Sequence, residues 1–262
     1  MAATLENLVS LKVDVADHVA EVTLLGPGKG NAMGPDFWRE LPVVFRALDT
    51  DPAVRAVVLT GSGAHFSYGL DLPAMLPSWG ELFAPGELTE RRTKLLDGIR
   101  TLQDSVTSVA ACRKPVIAAT DIRLASADTK FSVREVKVAM VADIGSLQRL
   151  AGIIGEGHLR ELAFTGKDID AARAERIGLV NDVYPVQEAA LTAARDLAAE
   201  IAANPPLVVH GVKEILNSTR EADVAAGLRY VAAWNAAFLP SKDLGEALQA
   251  FVERRPPRFT GE

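Results

Sequence analysis

The sequence predicts an α/β fold: a sheet-rich body of about 140 residues followed by a helical C-terminal part, within ordinary domain sizes. Three patterns carry this. Val9 to Val15 and His18 to Leu25 alternate apolar and polar residues around a short Ala16-Asp17 connection. Val54 to Thr60 and Lys114 to Thr120 are β-branched runs, with helical periodicity from about Glu90 to Ala111 between them. From Gly145 onward almost every apolar residue recurs at helical spacing.

The first pattern is that of a β-hairpin, so the chain opens with sheet. After the turn-rich Gly26-Pro-Gly-Lys-Gly30, the segment Pro35 to Leu48 puts Phe37, Leu41, Val44, Phe45 and Leu48 on one helical face, and Pro35 suits a first helical turn. The two β-branched runs and the helix between them imply right-handed crossovers in a largely parallel sheet. Beyond Gly145, helical spacing joins Leu147, Leu150 and Ile153, then Leu159, Leu162 and Ala163, then an Ala-rich stretch from Gln187 to Ala203. Leu179 to Tyr184 interrupts them as a strand. Pro205-Pro206 starts another helix, and Val224, Leu228, Val231 and Phe238 give the next one an apolar face. Leu244 to Val252 is the last element, before Arg254-Arg-Pro-Pro-Arg258.

Composition narrows the function classes. With 262 residues, 48% hydrophobic and 24% charged, the chain can bury a sizeable core, which excludes global disorder. A net charge of -6 with no basic run offers no field for a polyanion, so no nucleic-acid partner is expected. Cys112 is the only cysteine and cannot form an internal disulfide. No Cys/His pairs stand at zinc-ligand spacing, so no metal is expected, and a reducing, cytoplasmic setting fits. The opening MAATLENLVSLKVDVADHV lacks the basic start and apolar run of a signal peptide. No later stretch approaches the roughly 20 apolar residues of a membrane span, so a soluble protein without a membrane partner is expected.

Most candidate chemistry falls away on spacing. Gly26-Pro-Gly-Lys-Gly30 follows a strand and precedes a helix. It nevertheless has Asn31 where the dinucleotide fingerprint needs glycine, and Gly30 where a P-loop needs Ser or Thr. No G-x-S-x-G elbow exists, and His18, His65, His158 and His210 sit in unrelated contexts. Two features remain. Gly61-Ser-Gly-Ala-His-Phe-Ser-Tyr-Gly-Leu-Asp-Leu72 leaves the C-terminal end of a buried strand, where open α/β sheets bind ligands. Gly69 would let the Tyr68 amide N–H point outward to hold an oxyanion, unless the segment is an ordinary connecting turn. Glu135 and Asp143 flank the apolar Val136 to Ala142, broken only by Lys137, and carboxyls so embedded acquire raised pKa values suited to acid–base work. The alternatives are an N-cap role for Asp143 and a surface ion pair of Glu135 with Arg134 or Lys137.

The same residues resemble the crotonase (enoyl-CoA hydratase/isomerase) family over nearly the whole chain. Lys29-Gly-Asn-Ala-Met33, His65-Phe-Ser-Tyr-Gly-Leu-Asp-Leu72, Lys114-Pro-Val-Ile-Ala-Ala119, Asp121-Ile-Arg-Leu-Ala125 and Gly145-Ser-Leu-Gln-Arg-Leu150 stand in family order, and Arg254-Arg-Pro-Pro-Arg-Phe259 is similar to the family ending. The resemblance implies a crotonase-like (ClpP/crotonase) spiral of β-β-α units over residues 1–200 and a helical trimerisation region over residues 201–262, in trimers or paired trimers. It implies an acyl-CoA thioester substrate, no cofactor besides the coenzyme A of that substrate, and a thioester oxygen held by two backbone N–H groups, the first at Tyr68. Substrate contacts are implied at Lys29, Asn31, Ala32, Ser67, Gly69, Leu70, Asp71 and Leu72, and Glu135 matches the principal acid/base glutamate. The run from Glu135 to Asp143 and Phe37-Trp-Arg-Glu40 resemble the Δ3,5-Δ2,4-dienoyl-CoA isomerase branch. There Glu135 would serve the α-carbon and Asp143 the remote carbon.

One departure stands out. After Ala119 the family continues with a His-Gly and a glycine-rich stretch of roughly 15 residues that supplies the second oxyanion donor and another carboxylate, whereas here Thr120 leads straight into Asp121. The intact flanks favour a segment left out over one truly lost, and an intact mass near 27.9 kDa would refute that. The rival readings are an enoyl-CoA hydratase and a non-catalytic acyl-CoA-binding or assembly protein. Residues 73–87, with Trp79 and Phe83, would shape the acyl pocket or form a surface loop.

Overall fold

The computed structural model describes residues 5, 7–26, 30–80, 87–117 and 121–261. β1 (Leu11–Ala16) and β2 (Val19–Leu24) form the expected hairpin, with Leu11 opposite Leu24 and Ala16 opposite Val19. The turn is Asp17-His18, one residue later than the alternation suggested. Both residues have positive φ, 47° and 67°, as a two-residue turn matching strand twist requires. β3 (Ala56–Gly61) runs parallel to β2, and β4 (Val116–Ile117) parallel to β3, giving the order β1-β2-β3-β4.

Between them come α1 (Pro35–Thr50), α2 (Leu72–Gly80) and α3 (Leu88–Ala111). The period of two in β3 divides its residues between two cores. Val57 and Leu59 join Ala20, Val22 and Leu24 of β2 against Phe37, Trp38, Leu41, Val44, Phe45 and Leu48 of α1. Ala56, Val58 and Ile117 face Ala194 and Ala198 of a later helix, α7 (Gln187–Ala202). A sheet covered on both faces needs the continuous apolar run seen in β3 rather than alternation. Pro42 inside α1 has no N–H to offer the Trp38 carbonyl. The buried Ser105 hydroxyl of α3 donates to that carbonyl at 2.9 Å instead, locking the two helices together.

Past β4 the chain forms short strands that the sequence pattern did not reveal: β5 (Leu124–Ser126), β6 (Lys130–Phe131) and β7 (Ile169–Asp170). Of the strand expected over Leu179 to Tyr184, only β8 (Asp182–Tyr184) is extended, paired in parallel with β5; β6 pairs antiparallel with β7. Two or three residues carry no readable period. α4 (Ser146–Ile154), α5 (Glu156–Thr165) and α6 (Ala171–Arg176) close a second core around Val133, Ile154, Leu162, Ile169 and Val180.

The C-terminal part corrects two expectations. Pro206 to Phe238 is one 33-residue helix, α8, where two were expected, and Phe238 is exposed rather than on the buried face. The buried stripe is Leu228, Val231, Ala232, Asn235 and Ala236, packed toward α3 and α4. α9 (Lys242–Glu253) follows, its N-terminus capped by the Ser241 hydroxyl accepting from the Leu244 N–H at 3.1 Å.

Candidate active site

The segment from Gly61 to Leu72 is held by the turn that carries Asn31. Asn31 adopts a left-handed φ of 52° and is buried. Its amide nitrogen lies 2.9 Å from the Ser62 carbonyl oxygen, 2.6 Å from that of His65 and 3.2 Å from that of Phe66, while its own side-chain oxygen accepts from the Ser62 hydroxyl at 2.8 Å. The Ser67 hydroxyl donates to the Asn31 carbonyl at 2.8 Å and accepts the Gly69 N–H at 3.0 Å. Gly61 is required beneath this loop, because a Cβ there would collide with the His65 carbonyl oxygen.

These bonds show how the residues expected at the site are used within the loop. Asn31 and Ser67, expected to touch substrate, spend their side chains on loop backbone. The Asp71 carboxylate accepts the Ala74 N–H at 3.0 Å at the start of α2, whose first residue is Leu72. Tyr68 departs most. Gly69 has the expected positive φ of 83°, yet the Tyr68 N–H donates to the Gly30 carbonyl at 2.8 Å and is not free for an oxyanion. The reason is local: Leu70 forms a parallel bridge with Met33, which aligns the two loops and brings Gly30 against Tyr68. A Cβ on Gly30 would lie 2.6 Å from the Tyr68 ring, which covers that turn while remaining 58% exposed. Ala32 and Leu70 are half-buried, Lys29 lies outside the described residues, and the stretch 73–87 is described as helix α2 only as far as Gly80.

The two acids behave as their apolar surroundings predict. Glu135 opens a 3-10 turn, Glu135–Val138, which ends at Ala139 in the left-handed region with φ 55°. Burial pushes the Glu135 carboxyl above its ordinary range, and the charge of Asp143 pushes it further, against backbone N–H groups that favour the ionised form. Burial likewise raises Asp143, opposed first by a hydrogen bond from Asn235. Neither alternative role applies. Arg134 pairs with Asp168 at 2.6 Å, and Glu135 has no ion pair among the described residues. Gly145 rather than Asp143 caps α4. Ile144, next to Asp143, packs against the same hydrophobic core as Met33 and Leu70.

Sequence reasoning missed the groups that hold Asp143. Asn235 donates from its amide nitrogen to Asp143 Oδ2 at 2.8 Å, and Gln103 donates to the Asp143 carbonyl at 2.7 Å. A polar residue amid Val231, Ala232 and Ala236 was the available signal for Asn235. Beyond β4, the Asp121 N–H donates to the Val116 carbonyl at 3.2 Å, and its carboxylate accepts the Val116 N–H at 2.7 Å. Residues 118–120, with any donor they hold, lie outside the described residues. Among the described residues no group of three or more His, Cys, Asp or Glu could hold a metal ion, and no helix is long and apolar enough to cross a membrane.

Comparison with known proteins covers nearly the whole chain. Residues 14–262 match the family model described as enoyl-CoA hydratase/isomerase. A mitochondrial Delta(3,5)-Delta(2,4)-dienoyl-CoA isomerase of Dictyostelium discoideum is 41% identical over 266 residues, covering 95% of this chain and 90% of that protein. A peroxisomal protein of the same name from Arabidopsis thaliana is 34% identical, covering 98% and 99%. Since 95% of 262 is about 249 residues, the 266 positions of the first alignment leave about 17 with no residue of this chain. Among solved structures, an enoyl-CoA hydratase/isomerase from Mycobacterium paratuberculosis has a TM-score of 0.80 at 27% identity, covering 92% of this chain and 97% of that one. One from Pseudoalteromonas atlantica has a TM-score of 0.81 at 22% identity, covering 96% and 100%, which establishes the shared fold.

Proposed function

We propose that this chain, which belongs to the enoyl-CoA hydratase/isomerase family, isomerises a dienoyl-CoA thioester by passing a proton through Glu135 and Asp143. The observation that carries this reading is the pair itself: two carboxyls raised by burial, one of them further by the charge of the other. Carboxyls raised in this way are suited to exchanging protons near neutral pH, and two of them offer a base and an acid together. Glu135, as carboxylate, takes the proton from C2 of a 3,5-dienoyl thioester. The C–H electron pair becomes the C2=C3 bond, the C3=C4 pair moves to C4=C5, and the C5=C6 pair takes the Asp143 proton at C6. The product is the 2,4-diene. Return of the proton from Glu135 to Asp143 restores the pair.

Negative charge develops on the thioester oxygen during this step, and a fixed N–H donor is worth about 3 kcal/mol there. The Tyr68 N–H can serve only after exchanging the Gly30 carbonyl for the substrate oxygen. Ala32, Gly69, Leu70, Leu72 and Lys29 are the remaining proposed contacts to the thioester and its coenzyme A. No metal or redox group is needed, so dialysis against a chelator should leave turnover unchanged.

The deciding experiment follows the absorbance of a 3,5-dienoyl-CoA and of a 2-enoyl-CoA. Conversion of the first supports the isomerase, whereas rapid hydration of the second without isomerisation would replace it with a hydratase. The Tyr68–Gly30 bond favours one other reading, acyl-CoA binding without turnover, which any measurable turnover excludes. We further propose a homotrimer or a pair of trimers, on the strength of the exposed aromatic residues of α8. The cytoplasmic location is likewise a proposal, beside relatives named as mitochondrial and peroxisomal, and cell fractionation tests it.

A further inference from the structure

We propose that Asn235, deep in α8, is the positioning residue of Asp143: its amide nitrogen engages Oδ2 of the carboxylate and leaves Oδ1 as the oxygen that exchanges a proton with substrate. The inference rests on the acid-pair reading above and adds a residue from a distant helix to it. Asn235 is 2% exposed, and its amide nitrogen donates to Asp143 Oδ2 at 2.8 Å and to the Val141 carbonyl at 2.9 Å. Both hydrogens of the amide are thereby used. A backbone carbonyl can only accept, so turning the amide over would set its oxygen against the Val141 oxygen and the Asp143 carboxylate at once. The orientation is fixed by chemistry.

The main chain of Asp143 is held independently. Gln103 of α3, also buried, donates from its amide nitrogen to the Asp143 carbonyl at 2.7 Å and to the Leu228 carbonyl of α8 at 3.0 Å. Asp143 therefore lies between two helices, each contributing a neutral amide, with neither the freedom of a loop side chain nor a cap role. Neutrality matters. A cation beside Asp143 would hold it ionised and useless as an acid, whereas an amide only moderates the upward push of burial. The charged group facing Asp143 is Glu135, from the 3-10 turn. Gln103 and Asn235 are uncharged, and Arg149 of α4 turns its guanidinium to the Ile144 carbonyl and the Thr107 hydroxyl. With Oδ2 accepting an N–H, a proton on the carboxyl resides on Oδ1.

Two measurements on the full chain test this, using Asn235→Leu, which keeps the volume and removes the donor, and Asn235→Ser, which keeps a shorter one. Carbon-13 NMR titration of the Asp143 carboxyl, assigned against Asp143→Asn, needs no substrate. Asp143 is expected to titrate at higher pH in Asn235→Leu than in the parent, with Asn235→Ser between. In the dienoyl-CoA assay, Asn235→Leu is expected to lower kcat about tenfold with KM within about twofold, and to change kcat less than about twofold in an Asp143→Asn background. An unshifted Asp143 titration in a folded variant, or an equal kcat loss with and without Asp143, overturns the proposal. If Asn235→Leu fails to fold, Asn235→Ser decides by the same criteria. If the parent does not isomerise dienoyl-CoA, the isomerase reading fails, while the titration still decides whether Asn235 governs Asp143.

Discussion

Single carboxyl groups give the sharpest expectations for this protein. The folded pKa values of Glu135 and Asp143 lie above their unfolded values, so the folded state retains protons that the unfolded chain has released. Stability on this account is unpenalised below the unfolded carboxylate range, near pH 4, and falls as pH rises through the folded values. Glu135→Gln and Asp143→Asn should each raise the melting temperature at pH 7 and leave it nearly unchanged at low pH by scanning calorimetry; an asparagine at 143 still offers Asn235 an oxygen. The same variants should lower isomerase turnover by about 10²- to 10⁴-fold. Asn31 makes the opposite case, since its side chain serves the loop and not the proton. Asn31→Ala strands the loop carbonyls that its amide nitrogen engages, and should cost about 2 to 4 kcal/mol, read as a fall in melting temperature of roughly 5 to 10 °C.

At the scale of elements, α8 joins the C-terminal part to the body through buried polar contacts as well as apolar ones. Lys213 of α8 is 7% exposed. Its ammonium donates to the Lys114 carbonyl at 2.9 Å and to Asp121 at 2.7 Å, and the same carboxylate oxygen of Asp121 accepts the Val116 N–H. The pair thus pins α8 onto Asp121 and the backbone at the start of β4. Lys213→Met leaves Asp121 without its counter-ion and should cost about 2 to 3 kcal/mol in urea unfolding, discounted because Asp121 is partly open to solvent. Adding Asp121→Asn should recover part of that loss, and a double variant no more stable than Lys213→Met would contradict the pairing. How legible each element was depended on its length. The hairpin, α1, β3, α3, α7 and α9 each span enough residues to show a period, whereas β5, β6 and β7 are two or three residues long and owe their extension to the partner strand. The long α8 was divided wrongly because its exposed face is also apolar, which blurs the stripe.

For the whole molecule that same face is the outstanding feature. Tyr230, Trp234 and Phe238 are exposed in a ladder along one side of α8, with ring centroids 6.4 Å and 4.7 Å apart, and Leu207, Val212, Ile215 and Leu216 are exposed nearer its start. An exposed aromatic ladder of this kind is a candidate interaction site. If copies of this chain cover it, sedimentation velocity should show a trimer or hexamer, and Trp234→Glu should shift the population to monomer. A monomeric parent would remove the assembly proposal without touching the acid pair. Because Asn235 follows Trp234 directly in the same helix, with its side chain buried where that of Trp234 is exposed, the monomeric variant would also show whether proton transfer needs the assembled state.

By itself, the sequence determined which residues could form long elements, the family to which the chain belongs, and the embedding of Glu135 and Asp143 in apolar surroundings. All of these are local properties, written in periodicity and short motifs. Only the tertiary structure decided which groups surround those acids and which amides are spent. Asn235 lies 92 residues and Gln103 40 residues from Asp143 along the chain, and Gly30 meets Tyr68 only because a bridge aligns their loops. Hydrogen bonds between distant side chains leave no period in a sequence; packing brings their partners together.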